Sequence, residues 1–209
     1  MGRLKVFLSA ILAGMSIGFG GIVYLSVENK VIGSALFAIG LFCICTLGFH
    51  LFTGKVCYVF QQDRNYALDL PVIWLGNLAG TGLAAACVSG TRVAPMLRER
   101  AMALCQVKLG DSVLSLFFLA FLCNIFVYIA VEGFKNNPHE LGKYLSLFFG
   151  VMVFILSGME HSIADMFYFW MAGLMSARAA ACLLVITLGN AAGGVLLPLL
   201  RSLASGGNP

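Results

Sequence analysis

Three ionisable residues lie close together in a stretch of the sequence that is otherwise almost entirely apolar. Glu160, His161 and Asp165 occur in the run SGMEHSIADM, inside the segment Tyr144–Met175, whose other residues are mostly Phe, Leu, Val, Met and Gly. A charged side chain at the centre of a bilayer costs at least a few kcal/mol. An imidazole with an ordinary pKa of about 6.5 can exchange a proton near neutral pH. The cluster therefore points to proton or ion chemistry inside a membrane.

Other reaction chemistries find little support in the sequence. It contains no HExxH motif and no Ser or Cys nucleophile elbow. The seven cysteines form no CxxC pair and lie mostly in apolar runs, so we interpret them as small apolar residues. We expect no cofactor, no metal and no enzyme activity. Two alternatives to a protein that moves protons or ions are considered. One is a membrane-embedded enzyme that uses the three ionisable residues, and the other is a purely structural membrane protein.

The composition is typical of an integral membrane protein. Of the 209 residues, 60% are hydrophobic and 11% are charged, whereas soluble domains have about 25% charged residues. The net charge of +4 comes from scattered basic residues, so nucleic-acid binding is not indicated. No signal-peptide cleavage site follows the first apolar run, so we expect Met1 to begin the mature chain. We expect a multi-pass protein of the cell membrane (inner or plasma). The count of basic residues on the two sides does not decide its orientation.

Six segments are long and apolar enough to cross about 30 Å of hydrocarbon. They are Lys5–Val27, Val31–Phe60, Pro71–Gly90, Ser112–Gly133, Tyr144–Met175 and Arg178–Leu200. The second and fifth segments would each run to about 45 Å as straight helices, and both carry Gly or polar residues in their middle. We therefore predict that these two helices are broken at midplane, where freed backbone must be buried or line a cavity. The stretches between segments, including Gln61–Asp69 and Thr91–Lys108, are interpreted as loops.

Similar motifs recur in the two halves of the chain. The third segment contains LGNLAGTG and the sixth contains LGNAAGG, which places Asn77 and Asn190 113 positions apart. The predicted breaks, near Thr53 and His161, are 108 positions apart. Three helices per half give the halves opposite orientations, as in inverted-repeat transporters with a midplane site. We expect one all-α transmembrane channel domain over residues 1–209, with repeats at about 4–90 and 108–201.

These motifs resemble those of one transport family. SGMEHSIADM resembles the SGFEHSIANM signature of the formate–nitrite transporter family, which also includes hydrosulfide channels. HLFTGK resembles its (D/E)LFT(G/S) segment, and CNIFVYIAV resembles its CNxxVxxAV stretch. The resemblance implies an aquaporin-like six-helix protomer, assembled as a homopentamer in the lipid bilayer. It also implies passage of small monovalent anions, often with a proton.

The resemblance implies roles for particular residues. His161 corresponds to the pore histidine, Thr53 to the threonine on the facing broken segment and Asn124 to a polar residue near that histidine. Lys108 corresponds to a vestibule lysine that attracts anions, at the start of the fourth helix. Two apolar constrictions are implied, formed by Leu41, Leu51 and Phe52 and by Phe37, Phe52 and Phe154. Structural roles at the helix breaks are expected for Glu160, His50, Asp165, Asn77 and Asn190.

The implied function is a pH-dependent channel or transporter for formate, nitrite, hydrosulfide or a similar anion. Apolar constrictions penalise a bare anion much more than a neutral weak acid, so a midplane histidine could offer a proton or a transient positive charge. The alternative is an aquaporin-like pore for neutral solutes. For Glu160 we expect a structural role, in which its carboxylate accepts backbone N–H groups freed by the break.

The sequence departs from the family pattern in three places. His50 stands where the family has an acid, and Asp165 stands where it has Asn. The family's amphipathic N-terminal helix is missing, which favours a pore without a cytoplasmic gate. Because one break gains a base and the other gains an acid, we hypothesise that His50 and Asp165 form a compensating pair across the two breaks.

Overall fold

The computed structural model describes residues 2–206. Met1, predicted to begin the mature chain, and residues 207–209 of the predicted domain lie outside the described residues. The described chain forms ten α-helices and one short 3-10 helix, Val59–Gln61. The α-helices are α1 (Arg3–Ser26), α2 (Lys30–Phe37), α3 (Ile39–Leu47), α4 (Phe52–Val56), α5 (Arg64–Ser89), α6 (Ala94–Gly110), α7 (Val113–Asn136), α8 (Glu140–Leu156), α9 (Ser162–Ala172) and α10 (Ala177–Ala204).

The helices form the membrane-spanning architecture that the hydropathy pattern predicts. Five stretches within residues 2–206 are long and apolar enough to cross a bilayer: Arg3–Ser26, Lys30–Leu47, Arg64–Ser89, Val113–Asn136 and Ala177–Ala204. The fifth predicted segment, Tyr144–Met175, is divided between α8 and α9, so neither piece reaches the length of a full span. The chain is a multi-pass membrane protein, and its all-helical fold with two broken helices is confirmed.

Each break has a glycine in the left-handed region of backbone space. Gly48 ends α3 with a φ of 74°, and Gly158 follows α8 with a φ of 66°. A side chain would strain the backbone in this conformation, whereas glycine adopts it readily. The chain then runs extended through Leu51 before α4 and through His161 before α9. The first break thus lies slightly before Thr53, which is already the second residue of α4.

An asparagine satisfies the freed backbone of the first break. The buried Asn77 amide donates to the backbone oxygens of Ala10, at 2.8 Å, and of His50, at 2.9 Å. Its side-chain oxygen accepts the backbone N–H of Phe52 at 2.9 Å. One side chain on α5 therefore ties the break to α1 and to the start of α4.

The second break is held in the same way by Asn190 on α10. Its amide donates to the backbone oxygens of Ala120, at 2.8 Å, and of Glu160, at 2.9 Å, and its oxygen accepts the N–H of Ser162 at 2.8 Å. The three contacts repeat those of Asn77, one for one, about 110 positions later in the chain. The two halves of the chain therefore repeat each other in these hydrogen bonds as well as in their sequence motifs.

Glycines bring the long helices of each half into close contact. A Cβ placed on Gly80 of α5 would lie 2.0 Å from the backbone oxygen of Ile11 on α1. A Cβ on Gly193 of α10 would lie 1.9 Å from the backbone oxygen of Phe121 on α7. Gly80 and Gly193 are 113 positions apart, the same offset as the two asparagines. Small residues at these crossings let the backbones approach closely, as is common in membrane helix pairs.

Two regions that the sequence analysis interpreted as loops are helical. Thr91–Lys108 was wrongly interpreted as a loop because its charged residues suppress hydropathy, yet most of it forms α6, which packs against α9. Gln61–Asp69 was also wrongly interpreted, because α5 begins at Arg64 rather than at Pro71. Asp63 caps this helix by accepting the N–H of Tyr66 at 2.9 Å, and Pro71 is accommodated in the second turn.

Candidate functional site at the meeting of the broken helices

The two broken helices meet through a single side-chain hydrogen bond. Thr53 Oγ1 on α4 lies 3.0 Å from His161 Nε2, and both residues are buried. His161 Nδ1 accepts the backbone N–H of Ala164 at 3.1 Å, so His161 caps α9. A nitrogen that accepts this bond carries no proton, and a neutral imidazole then has its hydrogen on Nε2. His161 therefore donates to Thr53, in the tautomer that these contacts define.

Neighbouring residues fix both members of this pair. The Asn124 amide on α7 donates to the backbone oxygen of Thr53 at 3.1 Å. The Phe154 ring on α8 stacks on the imidazole of His161, with ring centres 5.5 Å apart and planes 13° apart. Asn124, predicted to lie near the pore histidine, therefore contacts the threonine that the histidine faces.

A first cavity of about 100 Å³ lies on one side of this junction. Leu41 and Leu51 line it, together with Val131 and two lysines, Lys55 and Lys135. The ammonium group of Lys135 also lies 4.1 Å from the centre of the Tyr58 ring. Within residues 2–206 neither lysine forms an ion pair with a carboxylate. The first cavity is thus basic.

A second cavity of about 170 Å³ is lined by residues of α1, α2, α6, α8 and α9 and by the second break. Its walls include Phe37, Phe154 and His161, along with Lys108 from the last turn of α6. It shares no lining residue with the first cavity. Lys108 precedes the start of α7, whereas Lys135 lies in its last turn, so the lysines of the two cavities lie toward opposite ends of this helix.

The residues implied in the apolar constrictions divide between these cavities. Leu41 and Leu51 line the first, and Phe37 and Phe154 line the second. Phe52, assigned to both constrictions, is buried and lines neither. The roles of these five residues in restricting passage stay predictions, although the structure brings them to both sides of the Thr53–His161 junction.

Lys108 is held by two carboxylates. It forms ion pairs with Glu160 and, at 2.9 Å, with Asp165. Lys108 lies inside α6 rather than at the start of the next spanning helix, and it is buried rather than solvated. The expectation that the Glu160 carboxylate accepts freed backbone N–H groups is wrong, because Asn190 accepts the N–H of Ser162 while Glu160 contacts Lys108.

His50 and Asp165 are held by different partners. The N–H of His50 donates to Ser9 Oγ at 3.2 Å, and its carbonyl accepts from Asn77. Within residues 2–206 no ion pair or hydrogen bond joins His50 to Asp165, which instead contacts Lys108. The hypothesis of a compensating pair is therefore wrong. The Nδ1 atom of His50 is buried without a hydrogen-bond partner in this part of the chain.

The two lysines of the first cavity could not be recognised from the sequence as members of the site. Lys55 and Lys135 are 80 positions apart, at the end of α4 and in the last turn of α7. Each resembles an ordinary basic residue at a helix end, and only the fold brings them to one cavity. The sequence indicates these lysines only indirectly, because each lies within about one helical turn of a residue in the family motifs.

The described residues hold no arrangement suited to a metal ion. No group of three or more His, Cys, Asp or Glu side chains in residues 2–206 is placed to ligate one. Near the junction, Lys108 instead forms ion pairs with Glu160 and Asp165, and His161 contacts Thr53.

Two broken helices that meet between two separate cavities, in halves with matching backbone contacts, are typical of membrane channels and transporters built from inverted halves. The sequence profile of the formate/nitrite transporter family matches residues 1–203. The chain belongs to the formate/nitrite transporter family. Members of this family are channels and transporters, and the chain is accordingly not an enzyme.

Individual relatives agree with this family assignment. Formate-nitrite transporter 2 of Toxoplasma gondii is 35% identical over 81% of this chain, and the match covers 40% of that protein. The nitrite transporter NirC of Escherichia coli is 28% identical over 92% of this chain and 80% of its own length. Among solved structures, a pentameric formate channel with formate bound has a TM-score of 0.79 at 26% identity, over 97% of both chains. A second, an FNT family ion channel, has a TM-score of 0.84 at 26% identity, over all of this chain and 92% of its own.

Proposed function

We propose that the protein is a pH-dependent channel for small monovalent anions of the formate, nitrite or hydrosulfide class. The observation that carries this proposal is the hydrogen bond between Thr53 and His161, placed between two cavities with apolar walls. The relatives named for nitrite and formate transport support the same class of substrate. In this proposal residues 1–209 act as one channel domain, made of two inverted repeats at about 4–90 and 108–201.

The apolar walls favour passage of a neutral species. An anion without hydration or a partner is strongly disfavoured among Leu and Phe side chains, whereas the corresponding weak acid is disfavoured much less. The Nε2–H group of His161 is the polar donor between the cavities, and the Thr53 hydroxyl can donate or accept as the proton moves. We therefore expect the anion to cross the junction as its neutral acid, with a proton taken from solvent on one side and released to solvent on the other.

Lys55 and Lys135 supply the positive potential on the first side. Both lie on the wall of the first cavity with no carboxylate partner within residues 2–206, so their charge is available to an anion. A basic cavity with low-dielectric walls raises the local anion concentration. Lys108, to which the motif comparison gives this role, is already held by two carboxylates.

The protomer is proposed to assemble as a homopentamer, with one pore in each subunit. The related formate channel is pentameric. Large apolar side chains such as Phe118, Leu122 and Leu188 are exposed on the surface of this protomer, where either lipid or a neighbouring subunit can cover them. A cross-linking ladder in native membranes that ends at five subunits supports the proposal, and a ladder that ends at the monomer contradicts it.

Purified protein in liposomes tests the transport proposal. The liposomes are challenged with formate, nitrite, hydrosulfide, acetate and lactate, and with glycerol as the neutral solute, at acidic and at neutral pH. We expect influx of at least one small anion above that of protein-free liposomes, faster at acidic pH and accompanied by internal acidification. Passage of glycerol without any anion would instead support the aquaporin-like alternative.

A further inference from the structure

The second cavity contains one cation and two carboxylates. Lys108 forms ion pairs with both Glu160 and Asp165, and the side chains of the two acids are 6% and 2% exposed. Asp165 also interacts directly with Glu160. With all three groups ionised, this cluster carries a net charge of −1 in a buried position. A buried charge without a partner is strongly disfavoured, and two carboxylates at one site disfavour joint ionisation.

Among the described residues, no second cation pairs with the cluster to balance this charge. Within residues 2–206 the carboxylates of Glu160 and Asp165 form ion pairs with Lys108 alone. The imidazole of His161 is engaged by Thr53 and by the N–H of Ala164. The remaining titratable groups that interact with the cluster, from α1, α6, α7, α9 and α10, are all tyrosines or cysteines: Tyr24, Cys105, Cys123, Tyr168 and Cys182.

One oxygen of Asp165 has no donor among residues 2–206. Asp165 Oδ1 contacts Lys108, but Oδ2 is buried without a hydrogen-bond partner in the described chain. A buried carboxylate oxygen left unpaired carries the full desolvation penalty. A proton on one of the two acids would make a donor out of an acceptor, neutralise the cluster and allow a carboxyl–carboxylate hydrogen bond.

We propose that Glu160 and Asp165 jointly bind one proton beside Lys108, and that this proton controls the admission of anions to the second cavity. With the proton bound the cluster is neutral, and an anion can approach Lys108. Without it the cluster is negative and repels an anion on the same cavity wall as His161. Asp165 is thus a specificity-determining residue. This inference rests on the proposed anion transport.

The Asp165→Asn substitution removes the second carboxylate with little change in shape. Influx of formate into liposomes is compared between the variant and the wild type at a series of pH values, so that the protonation of formate itself cancels in the ratio. We expect the ratio to be close to one at acidic pH and to rise about tenfold at alkaline pH, where the wild-type cluster is negative. A ratio that is the same at every pH overturns the proposed control of anion admission.

Asp111→Asn is the matched control. Asp111 follows α6 directly, three positions after Lys108, and lines neither cavity. Its side-chain oxygens accept from Ser112 and Ser115, which an Asn side chain can also do in part. The same loss of charge on the same face should leave the ratio near one at every pH. A rise equal to that of Asp165→Asn would overturn the proposal, because any surface carboxylate would then suffice.

Infrared spectroscopy tests the proton itself, independently of transport. We expect the purified wild type to show the carbonyl band of a buried protonated carboxyl group at acidic pH, and the band to vanish in Asp165→Asn and to persist in Asp111→Asn. A band that is unchanged in Asp165→Asn overturns the shared proton. If wild-type liposomes pass no anion at all, the proposed function fails, and the infrared result still decides whether the proton site exists.

Discussion

At the scale of single residues, the Thr53–His161 contact has a defined direction. Because His161 Nδ1 accepts the N–H of Ala164, the hydrogen on the neutral ring is on Nε2 and faces Thr53 Oγ1. Adding a proton at Nδ1 would remove the cap of α9. The neutral imidazole is therefore the form that the fold holds, and it presents its Nε2–H group as a hydrogen-bond donor toward the threonine and the cavity.

Substitution of Thr53 tests the contribution of its hydroxyl. Thr53→Val keeps the branched shape but leaves His161 Nε2 without its partner, so we expect formate influx to fall about tenfold, the equivalent of one lost hydrogen bond of about 1.4 kcal/mol. Thr53→Ser keeps a hydroxyl and should retain most of the influx. Equal influx in the two variants, measured in liposomes, would show that the hydroxyl has no role.

The sequence could predict individual members of the site better than their partners. His161, Thr53 and Asn124 lie in short motifs inside apolar runs, where a polar side chain is costly and therefore conspicuous. The partner of Glu160 could not be inferred, because Lys108 is 52 positions away on a helix that hydropathy does not reveal. Contacts between distant segments depend on how helices pack, and spacing along the chain does not encode that packing.

At the scale of elements, two asparagines replace the helical hydrogen bonds that the breaks remove. Asn77 and Asn190 each make three buried hydrogen bonds to backbone groups, in matching positions of the two halves. Both were assigned structural roles from the repeated GN motifs, and their contacts are those of such a role. The breaks are therefore fixed features of the fold that hold Thr53 and His161 in position.

Removal of one asparagine should destabilise the fold. Asn190→Ala leaves the N–H of Ser162 and two backbone oxygens without partners, so we expect a loss of about 3 kcal/mol or more in the free energy of unfolding. Asn65→Ala, at an exposed position in the first turn of α5, should change it by less than about 0.5 kcal/mol. Thermal denaturation in detergent compares the two. Equal melting temperatures would contradict the structural role of Asn190.

The close helix crossings give a second prediction for the elements. Gly193→Ala places a methyl group against the backbone oxygen of Phe121, so α10 and α7 must separate, at a cost of about 3 kcal/mol. Gly110→Ala is the control, since a Cβ there meets nothing within 4 Å. We expect a large fall in melting temperature for the first variant and almost none for the second. A melting temperature for Gly193→Ala equal to that of the wild type would contradict the close approach of α10 to α7 at this glycine.

The sequence predicted six spans and both breaks, but it missed α6. Hydropathy fails there because the segment contains Arg98, Glu99 and Arg100. The buried residues of α6 nevertheless recur at helical spacing: Ala94, Leu97, Ala101, Cys105 and Lys108. The polarity of the side chains does not follow this spacing, because Val107 is exposed and Lys108 is buried. The sequence of α6 therefore lacks the clear apolar stripe that marks an amphipathic helix.

At the scale of the whole molecule, the two faces of the channel differ in charge. The first cavity has two lysines without carboxylate partners in the described chain, and the second has one lysine between two acids. The halves are alike in backbone and in their asparagine contacts but unlike in their charged side chains. We therefore expect anion passage to respond to salt and pH differently on the two sides.

The basic charge of the first cavity can be tested by neutralisation. Lys135→Gln should reduce formate influx at low ionic strength about threefold and much less at high ionic strength, because the attraction is screened by salt. Lys5→Gln removes one charge at an exposed position in the first turn of α1, outside both cavities, and should have little effect. A reduction by Lys135→Gln that is independent of salt would contradict an electrostatic role.

The central claim is that small anions cross between the two cavities by way of His161, and His161→Asn tests it most directly. An Asn side chain is also a good N-terminal cap, so α9 should remain capped, while the titratable ring is lost. The measurement is formate influx into liposomes at acidic pH, with the melting temperature of each sample determined in parallel. We predict a fall of tenfold or more in influx with a melting temperature close to that of the wild type. Unchanged influx in a folded His161→Asn protein would contradict the claim.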